Sequence, residues 1–226
     1  NIFKSNKRIL LFLFEENIIK PDRSIYLIIS NEKYKERNYL YFFKPEFGTF
    51  FDAKLISEIQ NDTKMKEIDS ESFKEKRRKG VNDNFICEII RNDSIDEFIT
   101  IVDQQKVSLS STIEESIYET NSFLLNHKPT LIEYAAFCGS IQIFKYLNSN
   151  NIEYSTSLWL YAIHSNNSEL IHSIEEKNIE LSNKDYEELY KEAVKCHHND
   201  ILKYFKNKII ENEEKIGDLF SHCLHF

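Results

Sequence analysis

Glycine and proline are scarce in this chain: only 4 of its 226 residues are glycine and only 3 are proline. A protein made of many short strands needs these residues at its tight turns. Their scarcity therefore argues against an all-β fold and predicts a mostly helical one. Asparagine is abundant, and its short polar side chain tolerates the left-handed backbone conformation that glycine usually provides.

Closely spaced cysteine pairs are also missing. The chain has 4 cysteines, Cys87, Cys138, Cys196 and Cys223, and none belongs to a C-x-x-C motif. Disulfide frameworks are usually denser and occur in smaller, secreted chains. We therefore interpret these cysteines as reduced thiols and expect a cytoplasmic protein, with a nuclear location as the alternative.

No apolar run near the start is long enough to cross a membrane. The longest, Ile9 to Phe14, follows basic residues, but Glu15 and Glu16 come directly after it and no cleavage site of small residues is present. The net charge of -8 argues against general nucleic-acid binding, which requires a basic face. We therefore expect neither a membrane nor a nucleic acid as a partner. Because the chain starts with Asn1 and not with Met, we also expect a fragment of a longer protein.

An internal repeat is present in the second half of the chain. Its copies are anchored, in chain order, on Ile89, Ala135, Ala162 and Ala193, which are 46, 27 and 31 residues apart. Apolar residues recur nine and twelve positions after each anchor, and in the last three copies also eight positions after it. Such a period predicts stacked helical units. The long first interval predicts an insertion or an extra helix within residues 103–129.

Each copy has the pattern of two short helices joined by a tight turn. The turn residue, four positions after the anchor, is Gly139, Asn166 or His197 in the last three copies, and we expect a left-handed backbone there. The anchor alanines lie on the first helix, where small side chains allow the first helices of neighbouring copies to approach closely. No copy can bury both of its faces alone, so we expect stability to come from stacking.

The stretch TLIEYAAFCGSIQIFKYL, residues 130–147, resembles the ankyrin repeat, whose usual pattern is T-P-L-H-x-A-A-x-x-G-H-x-E-I-V-x-L-L. Thr130, Ala135, Ala136, Gly139 and Ile143 match this pattern directly. More specifically, residues 80–205 are similar to an expanded family of divergent ankyrin-type proteins of parasitic protists, described as a domain of unknown function. The resemblance implies an all-α, ankyrin-like solenoid of stacked antiparallel helix pairs.

The chain is predicted to have three parts: a helical region over residues 1–80 with degenerate repeats, ankyrin-like repeats over 81–207, and a C-terminal cap or truncated tail over 208–226. The boundary at residue 80 follows a highly charged stretch. Its basic segment, Lys74 to Lys79, could bind nucleic acid, but we favour a solvated helix face with acidic neighbours at helical spacing.

The resemblance implies a non-catalytic scaffold for protein–protein interaction, with another protein as the partner and the chain itself a monomer. Contacts would come from the loop tips between copies, over residues 148–157 and 177–184, and from the exposed side of the first helices. The candidate partner-binding residues are Asn150, Asn151, Glu153, Tyr154, Asn178 and Glu180. The alternative is a purely structural spacer or capping segment of a longer repeat array.

A zinc-binding module is the third hypothesis. The residue types that favour it are Cys196, His197 and His198, with His222, Cys223 and His225 near the end. Three consecutive residues point in different directions, however, and their spacing matches no common zinc motif. The sequence also lacks G-x-S-x-G, H-E-x-x-H and P-loop motifs. We therefore expect no enzyme activity, no catalytic residues, no cofactor and no metal.

Overall fold

The structure is a computed structural model that describes residues 6–31, 37–61, 70–150 and 152–211. Over these residues it consists of α-helices, one short 3₁₀ turn and a single isolated bridge between Thr112 and Thr130. The predicted all-α class is confirmed. Within the same ranges, every helix is too short or too polar to span a bilayer.

The chain divides into two compact units. The first contains Asn1–Phe85 and Glu114–Lys128, and the second contains Ile86–Ile113 and Pro129–Phe226. The segment Glu114–Lys128, which the predicted limits place within the repeat region, thus belongs to the first unit. It carries the short helix α9 (Ser122–Leu125), so a helix does occur in the interval 103–129.

The first unit is built from seven helices in the described part of the chain. They are α1 (Lys7–Glu15), α2 (Arg23–Asn31), α3 (Arg37–Phe42), α4 (Lys44–Phe47), α5 (Ala53–Asn61), α6 (Glu71–Lys79) and α9 (Ser122–Leu125), with a 3₁₀ turn at Gly48–Phe50. Aromatic rings fill its core. The rings of Phe14, Phe43 and Phe47 contact one another at centroid distances of 5.6, 6.0 and 6.1 Å, in edge-to-face arrangements that add to the energy of burial.

A buried ammonium group ties α1 to the segment 114–128. Lys7 is only 1% exposed, and its Nζ donates to the carbonyl oxygens of Ile117 at 3.2 Å and Glu119 at 3.1 Å. The rings of Tyr39 and Phe42 lie 5.6 and 5.3 Å from the same nitrogen and contribute cation–π attraction. A buried charge is tolerated only when its donors are satisfied, so this contact fixes where the segment lies.

The carboxylate of Glu119 organises the turn that begins at Gly80. It accepts hydrogen bonds from the backbone N–H groups of Asn82 at 3.2 Å, Thr120 at 2.9 Å and Asn121 at 2.7 Å. Burial raises the pKa of Glu119, and these three donors oppose the rise. Gly80 has φ of 66°, and a Cβ there would lie 2.8 Å from Thr120 Oγ1, so the turn requires glycine.

Basic residues of α6 pair with carboxylates of the first unit. Arg77 is buried, and its Nη2 donates to both carboxylate oxygens of Glu46, each at 2.8 Å. Arg78 pairs with Glu15 at 3.0 Å, and Lys76 pairs with Asp83 at 3.1 Å. The predicted solvated face with acidic neighbours at helical spacing is correct only in part: Lys74 pairs with Glu71 in this way, but Arg77 is buried, and the partners of Lys76, Arg77 and Arg78 lie outside α6. Part of the charged stretch, residues 64–69, lies outside the described residues.

The second unit contains helices that form successive pairs. In chain order they are α7 (Phe85–Arg91, whose first residue belongs to the first unit), α8 (Ile95–Gln105), α10 (Leu131–Cys138), α11 (Ile141–Ser149), α12 (Leu158–Ser165), α13 (Ser168–Glu175), α14 (Asn183–Lys195) and α15 (Asn199–Glu211). The predicted C-terminal part begins within α15, and its residues 212–226 lie outside the described residues. Helix α10 packs against α12 and α12 against α14, while the second helices α8, α11 and α13 pack on one another in turn.

The turn between the two helices of each pair is left-handed, as predicted. The residue four positions after the anchor has φ of 50° at Asp93, 74° at Gly139, 50° at Asn166 and 57° at His197. Only one of these four is glycine, because asparagine, aspartate and histidine also enter this region at modest cost. The predicted helix boundaries between the members of each pair therefore coincide with the observed turns.

The anchor alanines lie where the first helices meet. Ala135, Ala162 and Ala193 are all 0% exposed. A side-chain cap also connects neighbouring helix pairs. Asp93 accepts from the backbone N–H groups of Gln142 and Ile143, both at 3.0 Å, and thereby caps α11 from the preceding turn.

We expect Glu119→Ala to destabilise the chain by about 2 kcal/mol or more, because the amides of Asn82 and Asn121 lose their acceptor, while the amide of Thr120 keeps the carbonyl of Gly80. Glu119→Gln should cost less, since one carboxylate oxygen already accepts two of the three bonds. Urea unfolding of both variants measures the difference. Glu115→Ala is the surface control, and a Glu119→Ala variant as stable as this control would show that the amides find other acceptors.

We expect Ala135→Leu to lower the free energy of unfolding by about 1–3 kcal/mol, because the larger side chain overpacks the contact between α10 and α12.

Gly139→Val should cost about 1–2 kcal/mol, because a β-branched residue resists positive φ. Gly139→Asn is the matched control and should be mild, since Asn166 already occupies the equivalent turn. Thermal unfolding at unchanged Tm for both the leucine and the valine variant would contradict the packing argument.

Candidate functional site

The predicted partner-binding residues lie on two loops of the second unit. Glu153 and Glu180 are exposed, and Asn151 lies outside the described residues. Asn150 is exposed at the end of α11, where its Nδ2 donates to the carbonyl of Tyr146 at 2.8 Å. Asn178 is also exposed and has φ of 49°. The amide of Asn150 thus helps to end a helix, whereas the two glutamates point into solvent.

Tyr154 connects the two loops. Its hydroxyl donates to Asn148 in the last turn of α11, and Lys177 Nζ of the second loop lies 5.6 Å from its ring centroid. Partial burial raises the pKa of Tyr154. The tyrosine that the sequence offers as a partner contact is half-buried and holds the loops together.

Two polar side-chain pairs link neighbouring first helices. Arg91 Nη1 donates to the hydroxyl of Tyr134 at 2.8 Å, and His164 Nε2 donates to Glu192 Oε1 at 3.1 Å. Arg91 and His164 each lie two positions after an anchor residue. Tyr134 and Glu192 each lie one position before the next anchor residue. The same register thus brings polar partners together at two different contacts between neighbouring first helices.

His164 and Glu192 meet a thiol. Cys196 Sγ lies 3.5 Å from His164 Nδ1 and 3.9 Å from His164 Nε2. The similar distances to both nitrogens place the sulfur beside the ring and not in line with either nitrogen. One ligand atom from each of the three residues lies within 4.8 Å of the others. The ring of Phe137, on the preceding first helix, packs 5.0 Å from the imidazole.

The electrostatics of this cluster favour a carboxylate and a neutral thiol. The hydrogen bond from His164 is the main cause that lowers the pKa of Glu192 to about 2, and Lys195, whose Nζ lies 2.8 Å from Oε2, adds to it. Burial, with a smaller contribution from the neighbouring Glu192 charge, raises the pKa of Cys196 to about 11. A nucleophilic cysteine requires a depressed pKa, so the cluster does not prepare a thiolate for catalysis.

The structure groups the metal-ligating residue types differently from the sequence pattern. Of Cys196, His197 and His198, only Cys196 belongs to the cluster; His197 is exposed in the left-handed turn, and His198 follows it. The terminal candidates His222, Cys223 and His225 lie outside the described residues. Sequence reasoning missed His164 and Glu192. The repeat alignment could have related them, because they occupy the same positions relative to the anchor residues as the paired residues Arg91 and Tyr134.

No protein-family model, curated protein or solved structure matches this chain significantly. The resemblance to ankyrin repeats therefore stays a prediction.

The His164–Glu192 contact should contribute measurably to stability. We expect a double-mutant cycle with His164→Ala and Glu192→Ala, measured in chelator, to give a coupling energy of about 1–2 kcal/mol, because the pair is mostly buried and charge-assisted. The exposed pair Lys145–Glu169 also joins two helices and is the control, with an expected coupling below about 0.5 kcal/mol. Equal couplings in the two cycles would contradict the importance of burial.

Proposed function

We propose that the chain is a non-catalytic protein–protein interaction scaffold, built as an ankyrin-type stack of divergent helix pairs and acting as a monomer. The observation that carries this proposal is the regular packing of α10, α12 and α14 side by side, with the 148–157 and 177–184 loops at their ends. Stacked repeats commonly present one extended surface made of such helices and loops.

The surface of the second unit has the composition of a recognition site. The loops that precede α12 and α14 are polar, and Phe137, in the last turn of α10, is a partly exposed aromatic side chain of the first helices. Aromatic side chains supply contact area in interfaces, and surrounding charges select the partner. The exposed carboxylates Glu153 and Glu180 favour a partner with a basic patch.

The test begins with capture of partners by the full chain from the source cells, followed by binding measurements with each purified candidate. We expect the double variant Glu153→Lys and Glu180→Lys to weaken binding about tenfold or more, because charge reversal replaces attraction by repulsion at the loop tips. The measurement is the Kd from calorimetry at low and at high salt.

The control reverses two exposed charges on α8, with Glu97→Lys and Asp103→Lys. This variant changes the net charge equally but leaves the loops intact, so it should bind like the original chain. A partner whose affinity survives the loop variant and is lost with the α8 variant would place recognition on another face and refute the proposed surface.

A further inference from the structure

His164, Glu192 and Cys196 come from two neighbouring first helices. Glu192 lies on α14, and Cys196, four residues later, caps the end of that helix, so both side chains lie on one helix face. His164 lies in the last turn of α12, which packs against α14. A ligand held by all three would join the two helices.

The two separations from His164 are close to those around a tetrahedral zinc ion, and the ligand atoms of Glu192 and Cys196 lie within 4.8 Å of each other. Zinc bonds of about 2.0–2.3 Å place neighbouring ligand atoms about 3.4–3.6 Å apart. His164 Nε2 lies 3.1 Å from Glu192 Oε1 and 3.9 Å from Cys196 Sγ. Side-chain shifts of up to about 1 Å, together with rotation of the imidazole about its broad χ2 torsion, bring the nitrogen lone pair between the other two donors.

The donor set and its surroundings suit the same ion. Imidazole, carboxylate and thiolate are the three ligand types that zinc takes from proteins. One carboxylate and one thiolate also neutralise the 2+ charge, which reduces the cost of holding the ion in a half-buried place. Lys195 Nζ contacts the other oxygen of Glu192, Oε2, at 2.8 Å and so orients the carboxylate as an outer partner.

We propose that His164, Glu192 and Cys196 bind Zn²⁺ and that the ion links the first helices α12 and α14. The thiol proton passes to solvent as the Zn–S bond forms. The proton on His164 Nε2 is replaced by the ion and is taken up at Nδ1 through solvent. Three protein ligands leave a fourth position for water or for a donor from a bound partner.

Metal analysis of the full chain after zinc loading and desalting tests the stoichiometry, and Co²⁺ as a spectroscopic probe tests the ligands. We expect one metal ion per chain, a thiolate-to-cobalt charge-transfer band and a higher Tm with Zn²⁺. Cys196→Ser should abolish the band. Cys196→Ser and His164→Asn should each weaken zinc binding at least about 100-fold, more than the usual effect of an outer-sphere change.

Two conservative variants serve as controls. His198→Asn removes the neighbouring histidine, and Cys138→Ser removes the half-buried cysteine of α10; both should bind zinc like the original chain. Failure of the original chain to retain zinc overturns the proposal. Binding that survives Cys196→Ser and disappears with His222→Asn, Cys223→Ser and His225→Asn also overturns it, because the ligands then lie in the terminal segment.

Discussion

The close contact between successive first helices is the constraint on which the second unit depends. Side chains with a single methyl group allow α10, α12 and α14 to lie side by side, and the anchor alanines are fully buried there. The close approach fixes the register of the helices, because a shift by one residue would rotate a bulky side chain into the contact. From this register follow the Arg91–Tyr134 and His164–Glu192 pairs, which face each other at equivalent positions.

Much of the second unit was predictable from sequence because its organisation is local and periodic. The helix pairs, the left-handed turns and the burial of Ala135, Ala162 and Ala193 follow from spacing alone. The His164–Glu192–Cys196 cluster was only partly accessible. Cys196 was a candidate because two histidines follow it directly in the sequence. The residues that contact it are instead Glu192, 4 positions away, and His164, 32 positions away. Only the alignment of the repeats relates His164 to this site.

The first unit was much less predictable because its decisive contacts are distant along the chain. The ammonium of Lys7 and the carbonyl of Glu119 are separated by 112 positions, and neither residue belongs to a recognisable pattern. Lysine near an apolar run normally indicates an exposed position. Here its charge is buried because two carbonyl oxygens and two aromatic rings replace water, an arrangement that only the folded backbone creates. Such a fully satisfied buried charge favours one arrangement of the surrounding segments over others.

The interleaving of the two units along the chain affects how the protein folds as it is made. Synthesis proceeds from the N-terminus, and domains generally fold as units when their residues have emerged. The first unit is not complete until Lys128 has left the ribosome, by which time α7 and α8 of the second unit are already outside. Until then Lys7 has no carbonyl acceptors from residues 117 and 119, so α1 cannot settle into its final core. A nascent chain halted before this point would expose the aromatic core of the first unit to chaperones.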